Sequence, residues 1–374
     1  MVYLDHAASS PLAPPVYDAM APWLHDNCAN PSALHTAGRK ARKAIEDARE
    51  RIALLLRVQP ERIIFTSGGT EANNMAMHIA RIREGNSRVV VSAIEHESVL
   101  EPAQQFTNIS LLAVDKDGLV DLKHLRSIMT YSTALVSVMA VNNEIGTIQP
   151  LKQVSKICQD WGTPFHVDAV QAVGHIPLFV PEIGCDFLSV SAHKFGGPKG
   201  VGLLYAQDTV PLVDHPWMPG GGQENNNRSG TENVAGIVGM AAAMEYAEQN
   251  RIEREERYRK YFNYFVDTLR QWYPEIWVNG STINRTFSNI NITIPGVEAE
   301  AVLLLLDLSG ICASAGSACN ASGNRPSHVL KAIGLTDEQA RSSLRLTMGP
   351  DTTMDDMQFT LNRLVQVIND LKRV

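Results

Sequence analysis

Residues 165–206 read FHVDAVQAVGHIPLFVPEIGCDFLSVSAHKFGGPKGVGLLYA. Short β-rich runs, FHVDAV, FLSVSAH and GVGLLYA, alternate here with stretches that are polar or rich in glycine. The same rhythm extends upstream to RIIFTS (62–67), RVVVSAI (88–94) and ALVSVMAV (134–141), with segments of helical length between the runs. Strands alternating with helices imply a mainly parallel sheet covered by helices. Ligands collect at the carboxyl ends of such strands, so residues carrying chemistry should stand just after the runs.

Downstream the pattern changes. From Gly236 a long helical stretch is expected through Trp272, followed by a strand at SNINITI (288–294), a helix at EAEAVLLLLDL (298–308) and an amphipathic helix from about Asp351. The reading is an α/β protein with a large domain at residues 13–255. A smaller α+β domain is assembled from residues 1–12 and 256–374. Residues 38–57 form an amphipathic helix with Ala41, Ala44, Ile45, Ala48, Ile52, Leu55 and Leu56 on one stripe. Acidic Glu46, Asp47 and Glu50 interrupt its basic residues, so it reads as a solvated face.

Composition narrows the function classes. The 374 residues carry a net charge of −7, with 44% hydrophobic and 20% charged content, which disfavours a partner recruited through phosphates. The N-terminus has no basic start followed by an apolar stretch, and Ala301–Leu306 is the longest apolar run, so neither a targeting signal nor a membrane span is expected. The expectation is a cytoplasmic protein. Five scattered cysteines, Cys28, Cys158, Cys185, Cys312 and Cys319, contain no CxxC pair and support neither a disulfide framework nor a metal site. Cys28, Cys158 and Cys185 read as structural and Cys312 as a packed thiol at a strand end.

The strand ends are rich in chemistry. After RIIFTS comes SGGTEANN, where Gly69 and Thr70 open a helix whose free N–H groups suit an anion. Asp168 closes the run FHVD with Gln171 three residues on; a buried carboxylate there needs a cationic partner or serves as a helix cap. Ser191, His193 and Lys194 close FLSVSAHK, and a desolvated lysine suits Schiff-base chemistry. Cys319 lies in SAGSACNASGNRPS, small and polar without hydrophobic periodicity, a stretch suited to a mobile loop.

The ordered series SGGTEANN, AIEHESVL, VNNEIGTIQP, HVDAVQ, SAHKFGGPKG, GGGQENNNRSGTEN and SAGSACNASGNRPSHVL spans nearly the whole chain. It resembles the cysteine desulfurases of the class V aminotransferase fold type, in the subgroup with the long cysteine loop. That resemblance implies a fold-type I pyridoxal-phosphate transferase acting on L-cysteine as a homodimer. Lys194 would bear the cofactor covalently, Asp168 would pair with its pyridine nitrogen, and Gln171 would bond its phenolic oxygen. His96 would stack on the ring and relay protons. Gly69 and Thr70, with Ser191 and His193, would hold the phosphate, reached also by Thr231 of the neighbouring subunit. Asn143 and Arg345 would bind the substrate carboxylate, a guanidinium being a bidentate match for it. Cys319 would receive the sulfur as a persulfide and hand it to an acceptor protein. The chain ends at Val374 without the longer tail that family members use to dock an iron–sulfur scaffold, so iron–sulfur assembly, thiolation of RNA or DNA, and cofactor synthesis all stay open. Selenocysteine lyase activity, another β-elimination, and a non-catalytic sulfur-relay platform are the alternatives.

Overall fold

The computed structural model describes residues 1–84, 87–207, 216–316 and 326–373. In chain order the strands are β1 (Val2–Tyr3), β2 (Ile63–Thr66), β3 (Arg88–Ser92), β4 (Asn108–Leu112), β5 (Thr133–Ser137), β6 (Phe165–Asp168), β7 (Phe187–Ser191), β8 (Gly202–Ala206), β9 (Trp277–Val278), β10 (Asn289–Thr293), β11 (Ile311–Cys312) and β12 (Ser343–Thr347). Seven of them form one sheet in the order β2-β8-β7-β6-β5-β3-β4. It is parallel throughout except at β8, which runs antiparallel to both β2 and β7. All five expected runs beyond β8 are parallel members, and the edge strand β4 was not anticipated. Its residues are mostly exposed, so it lacks the apolar run that betrays a buried parallel strand.

Because β8 points the opposite way, its first residue, Gly202, lies beside Thr66 and Ser191, the last residues of β2 and β7. A Cβ at Gly202 would stand 2.5 Å from the Val190 carbonyl oxygen and 2.7 Å from the Gly68 backbone. Only glycine admits that approach, which draws the SGG turn against the end of β7. The chain leaves β3 outward to β4 and returns to β5 on the other side of β3, so the sheet reverses its winding there. The segment following β3, which contains His96, thus emerges at a topological switch point.

The helices relevant to the site are α1 (Pro14–His25), α2 (Thr36–Leu56), α3 (Gly69–Glu84) and α4 (Glu97–Ala103). In α2 the expected stripe is buried at Ala41, Ile45, Ala48, Ile52 and Leu56. The long helical stretch expected from Gly236 is two helices, Val234–Gln249 and Arg251–Trp272. Asn250 breaks it: its side chain donates to the Tyr246 carbonyl, ending one helix where the next begins.

A second core gathers Leu4 with Tyr258, Phe265, Ile290, Leu346, Leu364 and their neighbours, under an antiparallel β12-β10-β9 sheet. The N-terminal β1 pairs with β11 on that side. Among the described residues no helix is long and apolar enough to cross a membrane. Cys158 and Cys185 are buried, and burial together with Asp186 pushes Cys158 up to about 12. Cys312 is half-buried at the end of β11. Cys28 departs from its structural reading: it is exposed, just beyond α1.

Candidate active site

A cavity of about 540 Å³ opens at the carboxyl ends of β2, β6 and β7. Gly69, Thr70, His96, Asn143, Asp168, Gln171, Ser191, His193, Lys194 and Arg345 all line it, together with Ala7, Ala8 and Glu71. Thr231 is exposed and does not line the cavity. Cys319 falls outside the described residues.

The anion end is the start of α3. Among the described residues no group accepts from the amides of Gly69, Thr70 and Glu71, the orphan donors of the first turn. A helix N-terminus adds a partial positive charge at that point. Burial would raise the Glu71 carboxyl, but hydrogen bonds from the Arg228 guanidinium and Ser67 hold it down at about 2. Glu71 accepts from Arg228 Nε at 2.9 Å and from the Ser67 amide at 2.6 Å. This pairing cancels an acid that would otherwise repel an anion. Across from it, burial lowers His193 to about 4, with the Lys194 and Lys199 charges contributing, so its imidazole is neutral at pH 7.

The floor is Asp168, 4% exposed at the end of β6. Its Oδ1 accepts from the Val170 amide at 2.9 Å and its Oδ2 from Asn73 Nδ2 at 2.8 Å. Asn73 Nδ2 also donates to Ser98 Oγ at 2.9 Å. Since that bond occupies Ser98 Oγ as acceptor, the hydroxyl hydrogen goes to His96 Nδ1, 2.7 Å away. The Ser98 amide donates to the same nitrogen at 3.0 Å. With Nδ1 an acceptor twice over, the neutral imidazole of His96 carries its proton on Nε2. A hydrogen-bonded chain thereby runs from Asp168 to His96.

Lys194 follows β7, and its Nζ donates to the carbonyls of Ala7 at 2.6 Å and Ala8 at 2.9 Å. Gln171 Nε2 donates to the same Ala7 oxygen at 2.9 Å. Arg345, 1% exposed in the middle of β12, pairs with Asp5 at 2.8 Å and donates to the Asn143 carbonyl at 3.2 Å. Its Nε has no partner among the described residues. The ion-pair role and a place on the cavity wall coexist in this residue.

Sequence reading missed several contributors. Asn73 was legible: four residues beyond Gly69 in SGGTEANN, it shares the helix face turned to the sheet. Asp5 and the Ala7 and Ala8 carbonyls left no comparable trace, since they reach the site from the far end of the chain or through backbone oxygens.

Residues 2–359 match the class-V aminotransferase family. A protein named cysteine desulfurase IscS from Dictyoglomus turgidum is 45% identical over 379 residues, covering 100% of this chain and 96% of that one. A solved NifS-like protein superposes with a TM-score of 0.92 at 32% identity, covering 99% of each chain. The structure titled SspA in complex with cysteine aligns with a TM-score of 0.80 at 33% identity, covering 94% of this chain and 100% of that one. With a family match running almost end to end, a full-length relative 45% identical and a solved structure superposing over 99% of the chain, this chain belongs to the class-V aminotransferases.

Proposed function

We infer that this enzyme is a cysteine desulfurase, which takes the sulfur of L-cysteine onto Cys319 as a persulfide and leaves L-alanine. The class-V family depends on pyridoxal phosphate, and the cavity fits it. Free N–H groups at the start of α3 suit the phosphate, the buried Asp168 carboxylate suits a protonated ring nitrogen, and Lys194 lines the same cavity, its amine held by the Ala7 and Ala8 carbonyls. When bound, the cofactor draws electrons from the substrate's Cα and so weakens the Cβ–S bond.

The chain's own residues supply the rest. Lys194 would bear the cofactor on Nζ, and its amine would serve as the base that takes the Cα proton. His96, steered by Ser98 and Asn73 to present its Nε2–H, would pack against the cofactor and move a proton toward the reacting atoms. Gln171 would bond the phenolic oxygen, and Gly69, Thr70, Ser191 and His193 would hold the phosphate. Arg345 and Asn143 bind the substrate carboxylate, a role supported by the unpartnered Nε of Arg345 at the cavity wall. The Cys319 thiolate attacks the substrate sulfur; the S–S bond forms as the Cβ–S bond breaks, and a proton completes the methyl group of alanine.

Exposed Thr231, away from the cavity, fits a phosphate contact to the neighbouring subunit of a homodimer. Two domains are proposed, at 13–255 and at 1–12 with 256–374, supported by a second core that joins Leu4 to the C-terminal elements. The enzyme would work in the cytoplasm, consistent with scattered cysteines that form no disulfide pattern, and pass sulfur to an acceptor protein.

The carrying observation is that acid, lysine, anion cradle, imidazole and guanidinium converge on one cavity. The test is amino-acid analysis after incubating L-cysteine and a reducing thiol with the intact enzyme or with Cys319→Ala. Alanine from the intact enzyme alone is expected. Pyruvate from both would replace desulfuration by β-elimination, and no product with no cofactor absorbance would leave only a relay platform.

A further inference from the structure

Behind the cofactor cavity lies a second, smaller chamber of about 40 Å³. Ala7, Gln171 and Lys194 line both spaces, so they form the partition between them. The chamber is bounded on its far side by the helix Arg251–Trp272, by the start of β10 and by the segment after β12. Its polar lining includes Arg254, Tyr258, His6, His175, Ser288 and Asn289, besides Lys194 and Gln171 of the partition.

Arg254 is the unusual member. It is 7% exposed, yet among the described residues its guanidinium makes no ion pair and no hydrogen bond. It rests instead against the face of Tyr246, 4.9 Å from the ring centroid. A guanidinium has five N–H donors and cannot lose its charge, so burial without an acceptor is strongly disfavoured. The ring face offsets part of that cost but accepts none of the donors in a hydrogen-bonding sense.

The neighbours do not neutralise it. His6 Nδ1 lies 3.2 Å from Ser10 Oγ and His175 Nδ1 lies 3.4 Å from Ser288 Oγ, pairs of neutral groups. Burial lowers both histidines to about 4, and the Arg254 charge contributes at His175, so neither is charged at neutral pH. Asp351 is the nearest acid acting on this region, and it is exposed to solvent. The chamber therefore has the Arg254 guanidinium on one side and Lys194 at the partition, with hydroxyl and imidazole groups and the unpartnered Oδ1 of Asn289 around them. A water needs about 10–15 Å³ of such space, which leaves room for a single-atom ion and a water or two.

We propose that this chamber is a binding site for a small monovalent anion of the halide class, held by Arg254 behind the partition that carries Lys194. The anion would supply the missing acceptor and fix the helix bearing Arg254 against the segment around Ala7. The inference stands apart from the sulfur chemistry and survives or fails without it.

Crystals of the cofactor-loaded enzyme, exchanged from sodium chloride into sodium bromide and measured at the bromine absorption edge, test it. An anomalous peak in contact with the Arg254 guanidinium is expected. A chamber with no anomalous peak, holding waters alone, overturns the proposal. A second measurement compares thermal midpoints of the loaded enzyme in sodium chloride and in sodium gluconate at equal ionic strength, gluconate being too large for the chamber. The midpoint should be higher in chloride for the intact enzyme and the same in both salts for Arg254→Gln, because a ligand that binds only the native state raises its stability. Equal midpoints for the intact enzyme would count against the site whether or not the variant folds.

Discussion

One glutamate stands behind the floor of the cofactor cavity and another at its rim, and the two have opposite electrostatics. Glu95, behind the floor, is fully buried; burial pushes its carboxyl well above the usual range, and the neighbouring Asp168 charge pushes it further. Its Oε1 accepts one bond, from the Met139 amide at 2.6 Å, and its Oε2 has no partner among the described residues. Glu71, at the rim, is held down at about 2 by a guanidinium and an amide. Burial alone does not decide ionisation; the number and charge of donors around each carboxylate does. Burial and the Asp168 charge both disfavour ionisation of Glu95, while at the rim the Glu71 carboxylate is balanced by the Arg228 guanidinium.

The comparison breaks most visibly at Asp168. Asp168→Asn removes the acidic charge and one of two acceptor oxygens, since the Val170 amide and Asn73 Nδ2 each donate to the carboxylate and the new amide nitrogen would face one of those donors. Alanine formation should fall at least ~100-fold, about 2.7 kcal/mol in barrier. Unchanged turnover would mean that the floor charge does no catalytic work. Glu71→Gln should have a smaller effect, read in stability rather than in rate. Losing a charged acceptor for Arg228 and Ser67 should cost about 1–3 kcal/mol at neutral pH, seen as a lower urea midpoint. The sign with pH follows from its depressed carboxyl. The stabilisation is complete above the ordinary carboxylate value near 4.5 and is lost as pH falls toward about 2, so intact and variant midpoints should converge across that window. A gap that persisted at the acid end would assign the loss to packing.

How these features show in sequence differs for a physical reason. Asp168, Ser191 and Lys194 were legible because a parallel sheet collects chemistry at its strand ends, and strand runs are visible as apolar stretches. The Arg228 partnership was not, because Glu71 and Arg228 are 157 residues apart and neither sits in a periodic pattern. The pair Asp5 and Arg345 is 340 residues apart, and only folding the N-terminal segment against β12 brings it together. Cys28 was misjudged from composition alone: a thiol's usual preference for the interior says nothing about a segment that the fold leaves outside. The break at Asn250 was hidden inside a run of good helix formers, where one side-chain bond to a carbonyl outweighed propensity.

Glu95→Gln should give the smallest effect, and it isolates the floor from the rim. Glutamine resembles the protonated acid in shape and lacks charge, so turnover should stay within a few-fold of the intact enzyme, because Asp168 is untouched. Stability then carries the signal through its pH slope. A carboxyl whose folded value is raised contributes stability below the unfolded value near 4.5 and loses it as pH climbs toward the folded value. Relative to Glu95→Gln, the intact enzyme should therefore weaken by up to ~1.4 kcal/mol per pH unit above 4.5, a slope that the variant cannot share because its amide does not titrate. Any constant cost of the amide's extra N–H groups shifts the variant's curve without changing this slope. Parallel stability curves across the neutral and mildly acidic range would show Glu95 ionised in the folded enzyme, against the upward push of its burial and of the Asp168 charge.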